Sequence, residues 1–250
     1  MKWKFIDTGF NSGKFNMNFD LQLASELKRD ETVLRFYRWK PYCISLGANQ
    51  PLTSINLTKT DSAGLEVVKR PTGGRAILHS EELTYAVVHP VTSRLSPKAL
   101  YKEINLALKN GLEIYNFKLS SLNLEQDQPH FPSFYKEAKS DLCFAVSAKS
   151  EINLDGKKLV GSAQRKIGDV VLQHGSILCG TFHKNLIDYL KVSAEEKREI
   201  EKEINETTIE LETIINSETD YTKLIQALKS GFERHFNISF LANKELDLVH

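Results

Sequence analysis

The spacing of apolar residues changes several times along the chain, and each change marks an element. Residues 32–38 alternate β-branched and aromatic side chains, the two-residue period of a strand. A shorter strand is expected at 3–7, followed by a loop from Gly9 to Gly13. Met17, Leu21, Ala24 and Leu27 or Lys28 then recur at helical spacing, with Leu23 widening the face. This predicts a helix over 17–29 with Asn16 as its cap. Further strands are expected at 43–47, 65–69, 75–78 and 84–88, the last two central to a sheet, with a helical turn at 58–63. Ser96-Pro97 combines a hydroxyl cap with proline at the first helical position. The helix it opens carries Leu100, Ile104, Ala107 or Leu108 and Leu112 along one stripe. Residues 123–133 are polar, hold Pro129 and Pro132, and read as a loop; 134–139 reads as a helical turn. Asp155-Gly156 and Gly168-Asp169 separate three alternating runs, ending at Cys179, and predict a three-strand meander. Beyond Asn185 the pattern turns helical. Residues 195–206 offer little apolar face and predict a solvated helix. Thr219 or Asp220 caps a last helix bearing Leu224, Ala227 or Leu228 and Phe232, and 238–240 suggests a closing strand. The sum is an α/β (α+β) chain with mixed, largely antiparallel sheets flanked by helices. It is expected to form one domain over 1–250, more helical from 185 onward.

Composition narrows the class of protein. The chain has 250 residues, 41% hydrophobic and 26% charged, ordinary for a soluble globular domain. Its formal net charge of +1 argues neither for nucleic acid nor for a membrane surface. The first seven residues are too charged for a signal peptide, and no apolar run reaches the length of a membrane span. The three cysteines, Cys43, Cys143 and Cys179, fit reduced thiols in the cytoplasm better than a disulfide framework. No cysteine pair or histidine cluster has metal-ligand spacing, so no structural metal site is expected.

The candidate chemistry lies in two stretches. Between residues 67 and 90 the chain reads strand, glycine turn, strand, polar turn, strand. Gly73-Gly74 lets backbone amides approach a carbonyl, carboxylate or phosphate, and Arg70 and Arg75 flank the turn with positive charge. His79 ends the second of these strands. The other stretch pairs Cys143 with Lys158, fifteen positions apart. A cation beside a thiol favours the thiolate. Hairpin register alone does not bring the two together, and composition alone leaves Cys143 a core thiol and Lys158 a surface lysine. Gly161, Ser162 and Ala163 form a run of small residues suited to a long thin ligand or to close packing. Cys43 and Cys179 read as core thiols.

Arg70-Pro-Thr-Gly-Gly-Arg-Ala-Ile-Leu-His79 with Glu82-Leu-Thr-Tyr85 resembles the signature of the superfamily of lipoate–protein ligases, octanoyltransferases and biotin ligases. The Gly-Gly-Arg form is most similar to its cysteine-dependent octanoyltransferases of the LipM and LipL types. ATP-using ligases more often carry a third glycine where this chain has Arg75. Cys143-Phe144 ahead of Gly156-x-Lys158-x-x-Gly-Ser-Ala-Gln164, and the His174-Gly175-Ser176 element, strengthen the likeness. The resemblance implies a biotin/lipoate ligase-like catalytic fold. It implies an acyl group held on Cys143 as a thioester with Lys158 as activator, a route that needs no cofactor, neither ATP nor metal. It also implies a substrate pocket formed by Arg70, Gly73, Gly74, Arg75, His79, Gly161, Ser162, Ala163, His174 and Gly175. The implied partners are an octanoyl-acyl carrier protein as donor and, as acceptors, the lipoyl domains of the glycine-cleavage H protein or of 2-oxoacid dehydrogenases. A LipL-type donor, the octanoylated H protein, and an ATP-dependent lipoate ligase remain the alternatives. The protein is expected to act as a monomer.

Overall fold

Strand β6 (Glu82–Pro90) is buried along its whole length, and the larger sheet is built outward from it. The computed structural model describes residues 1–92, 95–124 and 151–241. On one side of β6 lie β2 (Glu31–Trp39) and the outer strand β1 (Lys2–Asn11). On the other lie β10 (Val170–Leu178), β9 (Lys157–Ile167), β8 (Ile152–Leu154) and the short β7 (Asn123–Leu124). Within this sheet, among the described residues, only the β1–β2 pairing is parallel. The expected meander is present. Its first turn places Asp155 at φ 50° and Gly156 at φ 77°, the left-handed pair that a two-residue hairpin requires.

Two layers cover this sheet. Alternate residues Leu34, Phe36, Leu83, Tyr85, Val87, Val171 and Ile177 form the main core with α3 (Pro97–Tyr115) and α6 (Tyr221–Phe236). Ser96 and Asp220 cap these helices, and the stripes read from the sequence are the buried ones. A Cβ on Gly231 would stand 2.4 Å from the Gly111 nitrogen, so the two helices cross almost backbone to backbone. The opposite face meets α1 (Gly13–Glu26) and a second sheet, in the order β4 (Glu66–Lys69), β3 (Cys43–Leu46), β5 (Ile77–His79). A short helix, α2 (Leu57–Ser62), precedes β4, and α4 (Ala194–Thr207) and α5 (Leu211–Ile215) precede α6.

Several expectations are corrected. Residues 9–11 continue β1 through a bulge rather than forming a loop; Gly9 takes φ 63° there and donates to Asp7. Ser12, not Asn16, caps α1, its hydroxyl accepting from the Phe15 amide. Asn16 is buried in the first turn and accepts from Arg35. The inward stripe of α1 is Asn16, Met17, Asp20 and Ala24, whereas Leu21 faces outward. This helix is polar toward the core because the buried Arg35 of β2 lies opposite. Strand β5 edges the second sheet instead of the centre of the first, and β4 and β5 do not pair with each other. The glycine turn arches over β3 and joins its two neighbours. Residues 238–240 form no strand; Phe240 instead packs edge-on against Trp3 and Phe5. The loop and turn expected at 125–139 lie outside the described residues.

Candidate functional site

The turn after β4 is held from within. Arg70 is buried, and its guanidinium donates to the Gly73 and Arg75 carbonyls and to the Ser45 carbonyl and hydroxyl. Every N–H of the group is used, so Arg70 is a frame for the turn and not a charge offered to a ligand. Burial without a carboxylate beside it lowers its pKa to about 10. Because the turn carbonyls point inward, the amides are left over. Neither the Gly73 nor the Gly74 N–H has an acceptor among the described residues. Gly74 adopts φ 101°, and a side chain on Gly47 would strike its carbonyl. Arg75 points the other way and pairs with Glu203 of α4 at 3.2 Å. The solvated helix read from the sequence therefore reaches back to the turn.

His79 and His174 stand beneath this turn. Nδ1 of His79 lies 2.8 Å from Glu82, and Nε2 lies 2.7 Å from the Ser45 hydroxyl that Arg70 also contacts. Trp39 stacks on the ring at 4.0 Å. Burial pushes the Glu82 carboxyl up, but the His79 charge and hydrogen bonds from His79, Thr84 and Ser176 outweigh it and hold the group below its ordinary value. His174 is 2.6 Å from the Thr72 hydroxyl and 3.5 Å from Asp20. Asp20 is itself fully buried, 2.6 Å from Arg35 and 3.1 Å from the Tyr37 hydroxyl. Thr72 and Glu82 stand within the motif without an assigned role, and nothing in the sequence reading marks Asp20 or Ser45. The available signal was a carboxylate and an amide, Asp20 and Asn16, four residues apart in a helix that must bury one face.

Burial depresses the His89, His174 and His183 imidazoles. The folded state thus disfavours a proton that the unfolded chain accepts near pH 6.5. The stability these neutral rings contribute is complete above that pH and is lost as pH falls through the depressed values. Melting curves at pH 7.5 and 5.5 should show a lower Tm at the acid value, by several degrees for each ~2 kcal/mol lost. An unchanged Tm would remove these rings as the cause of acid sensitivity.

Strand β9 carries the second stretch. A bulge at Leu159–Val160 turns both of these residues into the main core and leaves Lys158 and Gly161 on the opposite face, toward α1 and the second sheet. A Cβ at Gly161 would meet only the Lys158 side chain, at 3.8 Å, so this face is open beside the lysine. Lys158 Nζ is 2.6 Å from Glu151. Ala163 and His174 pair across β9 and β10 and share that face. Ser162 and Gly175, expected in the pocket, belong to the other side. Ser162 bonds the Tyr85 hydroxyl and Asn105 under α3, and a Cβ on Gly175 would sit 2.4 Å from the Gly161 carbonyl and 2.8 Å from the Tyr85 ring. Gly175→Ala should therefore cost about 1–3 kcal/mol. Chemical denaturation that gave an unchanged midpoint would contradict this packing. Cys43 and Cys179 are buried, and burial pushes both thiols up, Cys179 to about 12. Cys143 lies outside the described residues.

The glycine turn thus stands over His79 of the second sheet and His174 of the first, on the side of the large sheet that Lys158 and Gly161 face. The family model of the lipoyl protein ligase A/B catalytic domain matches residues 12–233. Octanoyltransferase LipM of Staphylococcus epidermidis is 33% identical over 99% of this chain and 93% of its own length. LipM of Bacillus subtilis is 33% identical over 99% and 92%. The chain belongs to the lipoyl protein ligase A/B family, in its LipM octanoyltransferase branch. In fold it is similar to the lipoate protein ligase of a bipartite archaeal system from Thermoplasma acidophilum, with TM-score 0.77, 19% identity, and coverage of 97% of this chain and 87% of that one. Lipoate-protein ligase A bound with ATP gives TM-score 0.75 at 20% identity, covering 97% and 89%.

Proposed function

We propose that this single catalytic unit moves an octanoyl group from a carrier-protein thioester to a lysine of a lipoyl domain through an acyl-enzyme on Cys143. The observation that carries the reading is its near-full-length likeness to LipM octanoyltransferases, with the Gly73-Gly74 turn and Lys158 on one side of the sheet. In the first step the Cys143 thiolate attacks the donor carbonyl. The carbon–sulfur bond to the donor breaks, and the pantetheine sulfur leaves as a thiolate that takes up the proton Cys143 had given to solvent. In the second step the neutral ε-amine of the acceptor attacks the new thioester, an amide forms, the amine's proton passes to solvent, and Cys143 leaves as the thiolate. The two steps replace one difficult transfer.

The residues divide this work. The ammonium of Lys158 stabilises the thiolate. The Gly73 and Gly74 amides, unpaired among the described residues, suit the oxyanion of the tetrahedral intermediate. The reaction is placed in the cytoplasm, on protein substrates; among the described residues no helix is long and apolar enough to cross a membrane. Thioester-to-amide transfer runs downhill without nucleotide. Purified enzyme should gain one octanoyl group from octanoyl carrier protein in the absence of ATP, and pass it to an apo lipoyl domain. Acylation only by octanoyl H protein would make it a LipL-type enzyme, and lipoate-dependent pyrophosphate release would make it a ligase.

A further inference from the structure

The turn that would meet the acyl carbonyl is held by the Arg70 guanidinium, by Arg165, which donates to the Pro71 carbonyl, and by one buried side chain of its own. Thr72, fully buried, precedes the two glycines, and its hydroxyl is 2.6 Å from His174 Nε2. The far side of that ring faces Asp20 at 3.5 Å. Asp20 in turn is fixed by Arg35, whose guanidinium also holds the Thr8 hydroxyl and the Asn16 carbonyl and side chain, and by Tyr37. Glycines have the greatest freedom of any residue, so a Gly-Gly turn keeps one shape only if its neighbours impose it. We infer that His174 is a positioning residue, a rigid strut that transmits the anchored Asp20 of α1 to Thr72 and so aims the Gly73 and Gly74 amides. This rests on the proposed acyl transfer.

The contacts also argue against the more obvious role. The Asp20 carboxylate, paired with Arg35, only accepts, so it favours the tautomer with the proton on Nδ1, and the Thr72 hydroxyl then donates to Nε2. The lone pair that a general base would use is already engaged. Burial, with the charges of Arg70 and His79 nearby, disfavours a second proton on this ring and outweighs Asp20, which favours one. A buried ring with both nitrogens committed can set geometry but cannot collect a substrate proton without releasing the turn.

The test uses the full-length enzyme and octanoyl carrier protein, with the rate of acyl-enzyme formation read by mass. His174→Ala and Thr72→Val should each slow acylation, roughly ten- to a hundred-fold, as expected when oxyanion donors lose their aim. The double variant should be no slower than the worse single one, because both break the same strut. His174→Gln, whose amide can reach Thr72 but cannot act as a base, should recover most of what alanine loses and keep the wild-type pH profile. Glutamine as poor as alanine in a natively folded protein would make His174 a base. Losses that multiply would sever it from Thr72. Either result overturns the inference. If His174→Ala does not fold, Thr72→Val against Thr72→Ser asks the same question: serine should retain the rate and valine should not. If the wild-type protein forms no acyl-enzyme at all, it is the proposed function that fails. The same double-mutant cycle, read in thermal stability, then tests the strut by itself.

Discussion

Cys143→Ala should abolish acyl-enzyme formation and lower octanoyl transfer by at least about ten-thousand-fold, the scale on which removing a nucleophile acts. The two other thiols cannot replace it. Cys43 and Cys179 are fully buried, and burial pushes both toward the unreactive thiol form. Mass measurement after incubation with octanoyl carrier protein should therefore show one adduct on the wild type and none on the variant. An adduct that persists in Cys143→Ala would relocate the nucleophile and end this reading of the site.

Lys158→Met is expected to carry the next largest loss, about a hundred- to a thousand-fold in the acylation rate. The change keeps the bulk of the side chain and removes only the charge. Without the ammonium, the thiol should return toward its free value near 8.5, so the remaining activity should climb as pH is raised. The sign is the informative part: a structural role would lower the rate equally at all pH values, whereas loss of a thiolate-stabilising cation shifts the profile to the alkaline side. Glu151, at 2.6 Å, adds a second arm to the measurement. Its carboxylate offsets part of the lysine field, so Glu151→Gln should move the profile the opposite way.

Much of the architecture could be read along the chain because it is set by local rules. Ser96-Pro97 and Asp220 start the two helices that cover the large sheet, and the stripes they bury are those that spacing marks out. Asp155-Gly156 demands a left-handed pair and makes the hairpin. The charged residues 195–206 give a helix, α4, with no buried side chain. Failures fall where a distant residue overrules the local signal. Asn16 looks like a cap until Arg35, from another strand, is found beneath it. Residues 75–78 are apolar enough for a central strand, yet the turn over β3 delivers β5 to the edge of a separate sheet.

The same division holds for the site. From the sequence alone come the candidate parts: a glycine pair able to bare its amides and histidines at strand ends, found by residue type, and a thiol and a lysine, found through their likeness to a known motif. Tertiary structure alone decided how the parts are used. Arg70, a ligand-binding candidate by its charge, becomes an internal brace because the Gly73, Arg75 and Ser45 carbonyls converge on it where water cannot compete. Ser162 and Gly175 leave the pocket because side chains alternate across a sheet, and Tyr85 claims their face. Asp20 and Thr72 enter only because His174 stands between them. A buried polar group must find its partners wherever the fold brings them, and no run of neighbours along the chain records which those will be.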